Sequence, residues 1–304
     1  MVAALTLAIS GATGFVGGRL LDQARKAGHQ VRALTRRPQP PQDGVTWVDG
    51  ALDRPDSLAA LVGGADAVIH VAGVIKAPDA AGFETGNVTG TAAILAAAEA
   101  ASVARFVHVS SLAGREPALS LYGASKAHSE TLVEASPLST AIVRPPAVYG
   151  PGDHETLDLF KMAKRGQVFM PPRGRLSLIH VDDLARLLLA LAAPGAPSLL
   201  IEPDDGRPGG WSHKEFGEAL SRAVGSRART IAVPRFLLSF GARLDRMARG
   251  KSAKLTPDRV AYFCHPDWVA SPLKSAPAEL WAAQIDTDQG LAATARWYRA
   301  NGWL

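Results

Sequence analysis

The sequence predicts an α/β fold, a doubly wound parallel sheet with a smaller, mostly helical C-terminal lobe. Three observations predict it. Short apolar runs alternate with helical stretches over the first two-thirds of the chain. A glycine-rich turn joins the first run to the first helical stretch. Beyond about residue 150 the alternation loosens, and prolines and glycines interrupt the chain repeatedly.

The apolar runs are Leu5–Ser10, Gln30–Thr35, Val45–Val48, Ala67–Val71, Arg105–Ser110, Thr140–Arg144 and Ser198–Ile201. Most are near-continuous, as strands buried on both faces require, which gives a sheet of about seven strands. Helices are expected over Phe15–Ala27, Pro55–Leu61, Val88–Ala101, Tyr122–Ala135 and Val181–Ala192. Gly28 stands where the first helix should stop. Right-handed crossovers then join parallel strands. Residues 1–150 with 179–202 should form the sheet domain, and 151–178 with 203–304 the lobe. The lobe should close over the C-terminal edge of the sheet, where ligands bind in open α/β folds.

Composition narrows the classes. The 304 residues are 47% hydrophobic and 20% charged, which is globular rather than disordered. The lone Cys264 excludes an intramolecular disulfide framework and a cysteine-rich metal site. No uncharged apolar run reaches the roughly 18–20 residues that span a bilayer. The apolar N-terminus lacks a basic leader and reads as a buried strand, so a cytoplasmic protein is expected. Ten of the basic residues fall between Arg222 and Arg259, with only Asp245 and Asp258 among them. That segment reads first as a solvated surface, and otherwise as an attractor of anionic ligands or membrane.

The turn Ser10-Gly11-Ala12-Thr13-Gly14-Phe15-Val16-Gly17 follows a predicted strand and opens a predicted helix. Glycines 11, 14 and 17 permit a tight turn and close approach of a pyrophosphate. The helix N-terminus presents free N–H groups to it. Thr13, Phe15 and Val16 belong to the same expected cradle. The second strand ends Leu34-Thr35-Arg36-Arg37 and lacks the acid that holds the ribose 2′-hydroxyl of NAD. Two arginines stand instead where a 2′-phosphate would lie, favouring NADP(H), with NAD(H) as the alternative.

Tyr122 and Lys126 are four apart at a helix start and share a face. A nearby ammonium, with the charge of an oxidised nicotinamide, should lower the phenol pKa and let Tyr122 exchange a proton. Ser110 and Ser111 end the fifth strand, where a hydroxyl can hold a substrate oxygen.

The chain resembles the extended short-chain dehydrogenases/reductases of the NAD-dependent epimerase/dehydratase family. The matching stretches are GATGFVGG at 11–18, VIHVAG at 68–73, NVTGT at 87–91, FVHVSS at 106–111, YGASK at 122–126, RPPAVYGPGD at 144–153 and IHVDDLA at 179–185. The resemblance implies a Rossmann-type fold, with Tyr122 as acid/base, Lys126 on the nicotinamide ribose and Ser111 as the catalytic hydroxyl. It places Asn87 in support, Ala72 and Gly73 along the adenine–ribose side, and Pro145 in the wall near the nicotinamide. A homodimer through 88–101 and 122–135 is a further implication. Two departures stand out. Gly50-Ala51-Leu52 replaces the family's Gly-Asp-Leu, and Leu112-Ala113 replaces the Asp-Glu pair of nucleotide-sugar 4,6-dehydratases.

The expected function is an NADP(H)-dependent oxidoreductase acting on a carbonyl or secondary alcohol. The alternatives are a nucleotide-sugar epimerase with retained cofactor and a non-catalytic NADP-binding regulator or assembly subunit. The partner is expected to be a small molecule, anionic if the arginines serve it, with no nucleic acid. The histidines show no metal-ligand spacing, and His70, His108 and His180 read as packed strand residues. Asp182 and Asp183 read as helix caps. Pro234–Met247 is expected to pack on its neighbours with snorkelling arginines, an interfacial helix on anionic lipid being the alternative. Cys264 reads as an inert thiol.

Overall fold

The computed structural model describes residues 4–250 and 256–304. The sheet is built from β1 (Thr6–Ser10), β2 (Gln30–Thr35), β3 (Val45–Asp49), β4 (Ala67–His70), β5 (Arg105–Val109) and β6 (Ser139–Val143). Between them run α1 (Phe15–Lys26), α2 (Pro55–Val62), the short α3 (Ala80–Phe83), α4 (Gly90–Ala100) and α5 (Leu121–Glu134). Next come β7 (Ala147–Tyr149), α6 (Leu157–Lys164), β8 (Gln167–Met170), β9 (Arg175–Leu176), β10 (Leu178–His180), α7 (Val181–Ala192) and β11 (Leu200–Ile201). The seven-stranded sheet has the order β3-β2-β1-β4-β5-β6-β11, and its pairings are all parallel. The doubly wound fold expected from the apolar runs is therefore the one observed.

Side-chain alternation sets the two faces. Leu7 and Ile9 join Leu20, Leu21, Leu184 and Leu188, so α1 and α7 cover one face. Ala8, Val68 and Phe106 join Leu58, Leu61, Ile94 and Val133, so α2, α4 and α5 cover the other. Each such buried leucine contributes about 1.5–3 kcal/mol. Strand order reverses between β1 and β4, which opens a crevice at their C-terminal ends. The glycine-rich turn and the loop after β4 both enter it.

The remaining elements are β12 (Trp211–Ser212), α8 (His213–Val224), β13 (Arg229–Ala232), α9 (Arg235–Arg249), α10 (Pro257–Phe263), β14 (Asp267–Trp268) and α11 (Thr287–Ala300). A third core joins Tyr149, Phe160, Val168, Trp211, Phe216, Leu220, Leu291 and Tyr298. Small ladders brace it: β7 with β10, β8 with β13, and β9 between β12 and β14. Ser212 and Glu215 form a capping box at the start of α8. The Tyr298 hydroxyl donates to the Asp153 carbonyl at 2.6 Å, tying the last helix to the loop after β7.

Two expectations need correction. The helix N-cap is His180, whose ring accepts from the Asp182 amide, so neither aspartate caps. Asp182 instead pairs with Arg19 of α1 at 2.6 and 2.7 Å. Asp183 accepts the Gln284 and Ile285 amides. The second correction concerns α9, whose apolar stripe does not pack on its neighbours. Phe236 is 70% exposed, Phe240 59% and Met247 82%, while Ala242 alone on this helix is buried. The reason is tertiary: the helix meets the body through the side opposite its stripe. Among the described residues, no helix is long and apolar enough to cross a membrane, and no cluster of metal ligands occurs.

Candidate active site

Gly11 has a φ of +78°, and a Cβ there would meet the Ala72 backbone nitrogen at 2.7 Å. A Cβ on Gly17 would sit 2.0 Å from the Gly11 carbonyl oxygen. No other residue fits either place, so the turn of β1 lies directly against the loop after β4 and against its own helix. Gly14 caps α1 without a side-chain bond, and no acid occupies the first turn. Thr13 and Gly14 are exposed, Phe15 is half-buried, and Val16 packs on the sheet core. The backbone amides of this helix start face the crevice, with the positive end of the helix dipole behind them.

Thr35 ends β2 as a buried residue whose Oγ1 donates to the Arg37 carbonyl at 2.6 Å. That bond curls the chain so that Arg36 and Arg37 are both exposed. Among the described residues, no carboxylate makes an ion pair with either guanidinium. Asp49 is paired with Thr35 in register, but it belongs to β3.

Four candidate residues converge past the ends of β4 and β5. Ser111 opens the turn after β5, its Oγ accepting the Ala113 amide at 3.2 Å. Tyr122 lies in the first turn of α5, capped by Ser120. Burial pushes its phenol pKa up, and a hydrogen bond with Ser111 opposes this. The depression expected from the ammonium is absent in the protein alone. Lys126 points one turn further along the helix, and its Nζ donates to the Val109 carbonyl at 2.8 Å. Asn87 sits in a π-helical turn over Glu84–Thr89, where helices widen to aim a side chain. It accepts the Val74 amide at 2.7 Å and donates to the Val74 carbonyl and to Ser125 Oγ, each at 2.9 Å. It thereby pins the loop carrying Ala72 and Gly73 to α5. Pro145 lies on the far side, its carbonyl accepting the Leu112 amide at 2.9 Å.

Lys126 is buried, which lowers its pKa to about 8, with Glu130 acting in the opposite direction. The folded state therefore disfavours the ammonium. That cost is fully present below about pH 8 and disappears as pH rises towards lysine's ordinary value of 10.5. Lys126→Met should accordingly be more stable than the native chain near neutral pH, by up to about 3 kcal/mol. The difference should shrink as the pH is raised, in urea unfolding across that range. A constant difference would sink the assignment.

Behind these residues lies a charged network that sequence reasoning missed. Ser110 turns away from the crevice and donates to Glu130. Arg144 grips Glu130 through two bonds at 2.8 and 2.6 Å and reaches Glu202 at 3.3 Å. Glu202 also accepts the Ser271 amide and lies 3.7 Å from both Arg115 and Lys274. Arg115 in turn donates to the carbonyls of Asp267 and Val269. One signal was available: Tyr122, Lys126 and Glu130 recur at four-residue intervals on one helical face. The partners across strands left no such trace. His70 and His108 stack at 5.4 Å in the core, and burial holds His70 at a pKa of about 3, neutral as expected of packed residues.

Comparison with known proteins adds to this geometry. Residues 7–198 match the model of the NAD dependent epimerase/dehydratase family. The chain is 41% identical to a ceramide reductase of Caulobacter vibrioides, over 98% of this chain and 96% of that one. It is 29% identical to a 2-alkyl-3-oxoalkanoate reductase of Stenotrophomonas maltophilia, over 63% of this chain and 67% of that one. Among solved structures it superposes on MoeE5 in complex with UDP-glucose and NAD, with a TM-score of 0.73 and 23% identity over 98% of this chain and 99% of that one. This last likeness speaks for the fold alone.

Proposed function

The chain belongs to the NAD-dependent epimerase/dehydratase family, and from that premise we propose that it is an NADP(H)-dependent reductase of a ketone carried by a long-chain lipid of the ceramide class. It is an enzyme of the NAD(P)-dependent short-chain dehydrogenase/reductase type, as its named relatives are. The observation that carries the substrate class is the 41% identity to a ceramide reductase across nearly the whole chain. The exposed pair Arg36 and Arg37, with no acid ending β2, supports NADP(H).

The cradle fits such a cofactor, because only glycines at 11 and 17 let the turn close against Ala72 and against its own helix, which leaves the first amides of α1 free to hold a pyrophosphate. The amides of Thr13 to Gly17 would hold it, and Lys126 and Tyr122 would face its nicotinamide ribose. A bound nicotinamide would supply the hydride that the carbonyl carbon takes up. Ser111 holds the carbonyl oxygen, and Tyr122 gives its proton to that oxygen as the C–H bond forms. The raised phenol pKa keeps Tyr122 protonated and suits it to donate. Asn87 keeps the floor of the site in place. The Glu130–Arg144–Glu202 network fixes α5 against the lobe, so that Tyr122 is held at a set position.

The test is NADPH oxidation with a ceramide bearing a ketone in place of its secondary hydroxyl. Turnover is expected there. Epimerisation of a nucleotide sugar without net cofactor change would overturn the reading in favour of an epimerase, and binding without any turnover in favour of a regulator. Replacing Arg36 and Arg37 together by Ala should weaken NADPH binding by about 10–100-fold, the loss of charged hydrogen bonds. NADH binding should change by less than about threefold. Equal losses for both cofactors, measured by fluorescence titration, would remove the NADP(H) assignment.

A further inference from the structure

Advancing about 100° per residue, Phe236, Leu237, Phe240, Leu244 and Met247 fall within one sector of α9 roughly 100° wide. All five are exposed. Leu238, Ala242 and Asp245 lie on the opposite sector, which is the side turned toward the protein. Arg243 borders the apolar stripe, while Arg246 and Arg235 lie about 130–150° from its centre on the side of Ala242, and all three are exposed. A helix that turns its apolar face away from the core has left that face for another surface.

We propose that α9 lies in the interface of an anionic phospholipid bilayer, with Phe236, Phe240, Leu244 and Met247 among the acyl chains and the arginines at the headgroups. Charge selects this occupant. A second copy would bring the same arginines, and the only acid on α9, Asp245, faces Arg249 at 3.3 Å. Anionic headgroups complement the arginines while the acyl region takes the stripe. The helix also borders the site. α10 packs against α9. Burial pushes the Tyr262 phenol of α10 up, and the nearby Tyr122 adds to that shift, while Asp258 of α10 accepts the Leu121 amide at 2.8 Å. A lipid ketone could pass from the bilayer along α9 and α10 to Tyr122 without crossing water. This second half rests on the proposed lipid substrate, whereas the docking itself does not.

The experiment is co-sedimentation with vesicles of phosphatidylcholine, with and without phosphatidylglycerol, using the full chain. The native protein should bind the anionic vesicles about tenfold or more tightly, and less so as salt is raised. Phe240→Glu with Met247→Glu, and separately Arg243→Glu with Arg246→Glu, should each lower that binding about tenfold or more. These positions face solvent, so folding is unaffected. Turnover of a short-chain, water-soluble ketone should be unchanged in both variants, while turnover of a vesicle-embedded long-chain ketone falls. No vesicle binding by the native protein, or undiminished binding by the variants, overturns the proposal. So does a dimer abolished by Phe240→Glu with Met247→Glu when vesicles are not bound. Vesicle binding that follows the expected pattern with no turnover of any ketone supports the docking and overturns the reductase reading.

Discussion

Tyr122→Phe is expected to lower kcat by about 10²–10⁴-fold, the range that a positioned proton donor supplies. Cofactor affinity should stay within about threefold, because the ring remains and only the hydroxyl is removed. The expectation rests on placement. Tyr122 is bonded to Ser111, which opens the turn past β5, and Lys126 lies one helical turn away. Burial keeps the phenol protonated, so a proton is available at neutral pH for an alkoxide that forms beside it. Steady-state kinetics with the ketone, together with NADPH titration, checks both halves. Retained turnover would show that the proton comes from elsewhere, and lost cofactor binding would show a positioning role instead.

Arg144→Met should produce the largest loss of stability, about 3–5 kcal/mol, the cost of leaving buried charge without its partner. Among the described residues, Arg144 is the one guanidinium bonded to both Glu130 and Glu202, and those side chains are 4% and 0% exposed. Removing it takes the guanidinium from buried Glu130, while Glu202 keeps Arg115 and Lys274 at 3.7 Å. Glu130→Gln added to Arg144→Met should recover part of the loss, since the charge at Glu130 disappears. Urea unfolding of the two variants and the native chain measures this. If the double variant is no more stable than Arg144→Met, the loss comes from packing rather than charge. Activity should also fall in Arg144→Met, because α5 carries Tyr122, Lys126 and Glu130 together.

Much of this site was legible before any coordinates. β2 runs over the expected residues, and the other sheet strands depart only at their ends. The turn at Gly11–Gly17 and the pair Tyr122 and Lys126 were read from local spacing, whereas Ser111 was picked out by the family resemblance. Between Ser110 and Ser111 the sequence offered no choice by itself. The structure separates them, because Ser110 bonds Glu130 while Ser111 meets Tyr122. The two-residue strands β9, β12 and β14 were not visible, since two residues carry no periodicity. Asp182 and Asp183 were misread for a related reason. Their positions at a helix start suggest caps, but partners on α1 and on residues 284–285 claim them.

The sequence by itself determined the parallel sheet, and it singled out the glycine turn and the pair Tyr122 and Lys126 as the candidate site. Those features rest on short-range patterns: apolar runs, glycines that only a close approach explains, and residues four apart on one helical face. The tertiary structure alone decided the charged network from Ser110 to Lys274, because its members come from six separate segments of the chain. It also decided that the stripe on α9 faces outward. A helical period shows that one face is apolar, but which side the body takes depends on what packs against it.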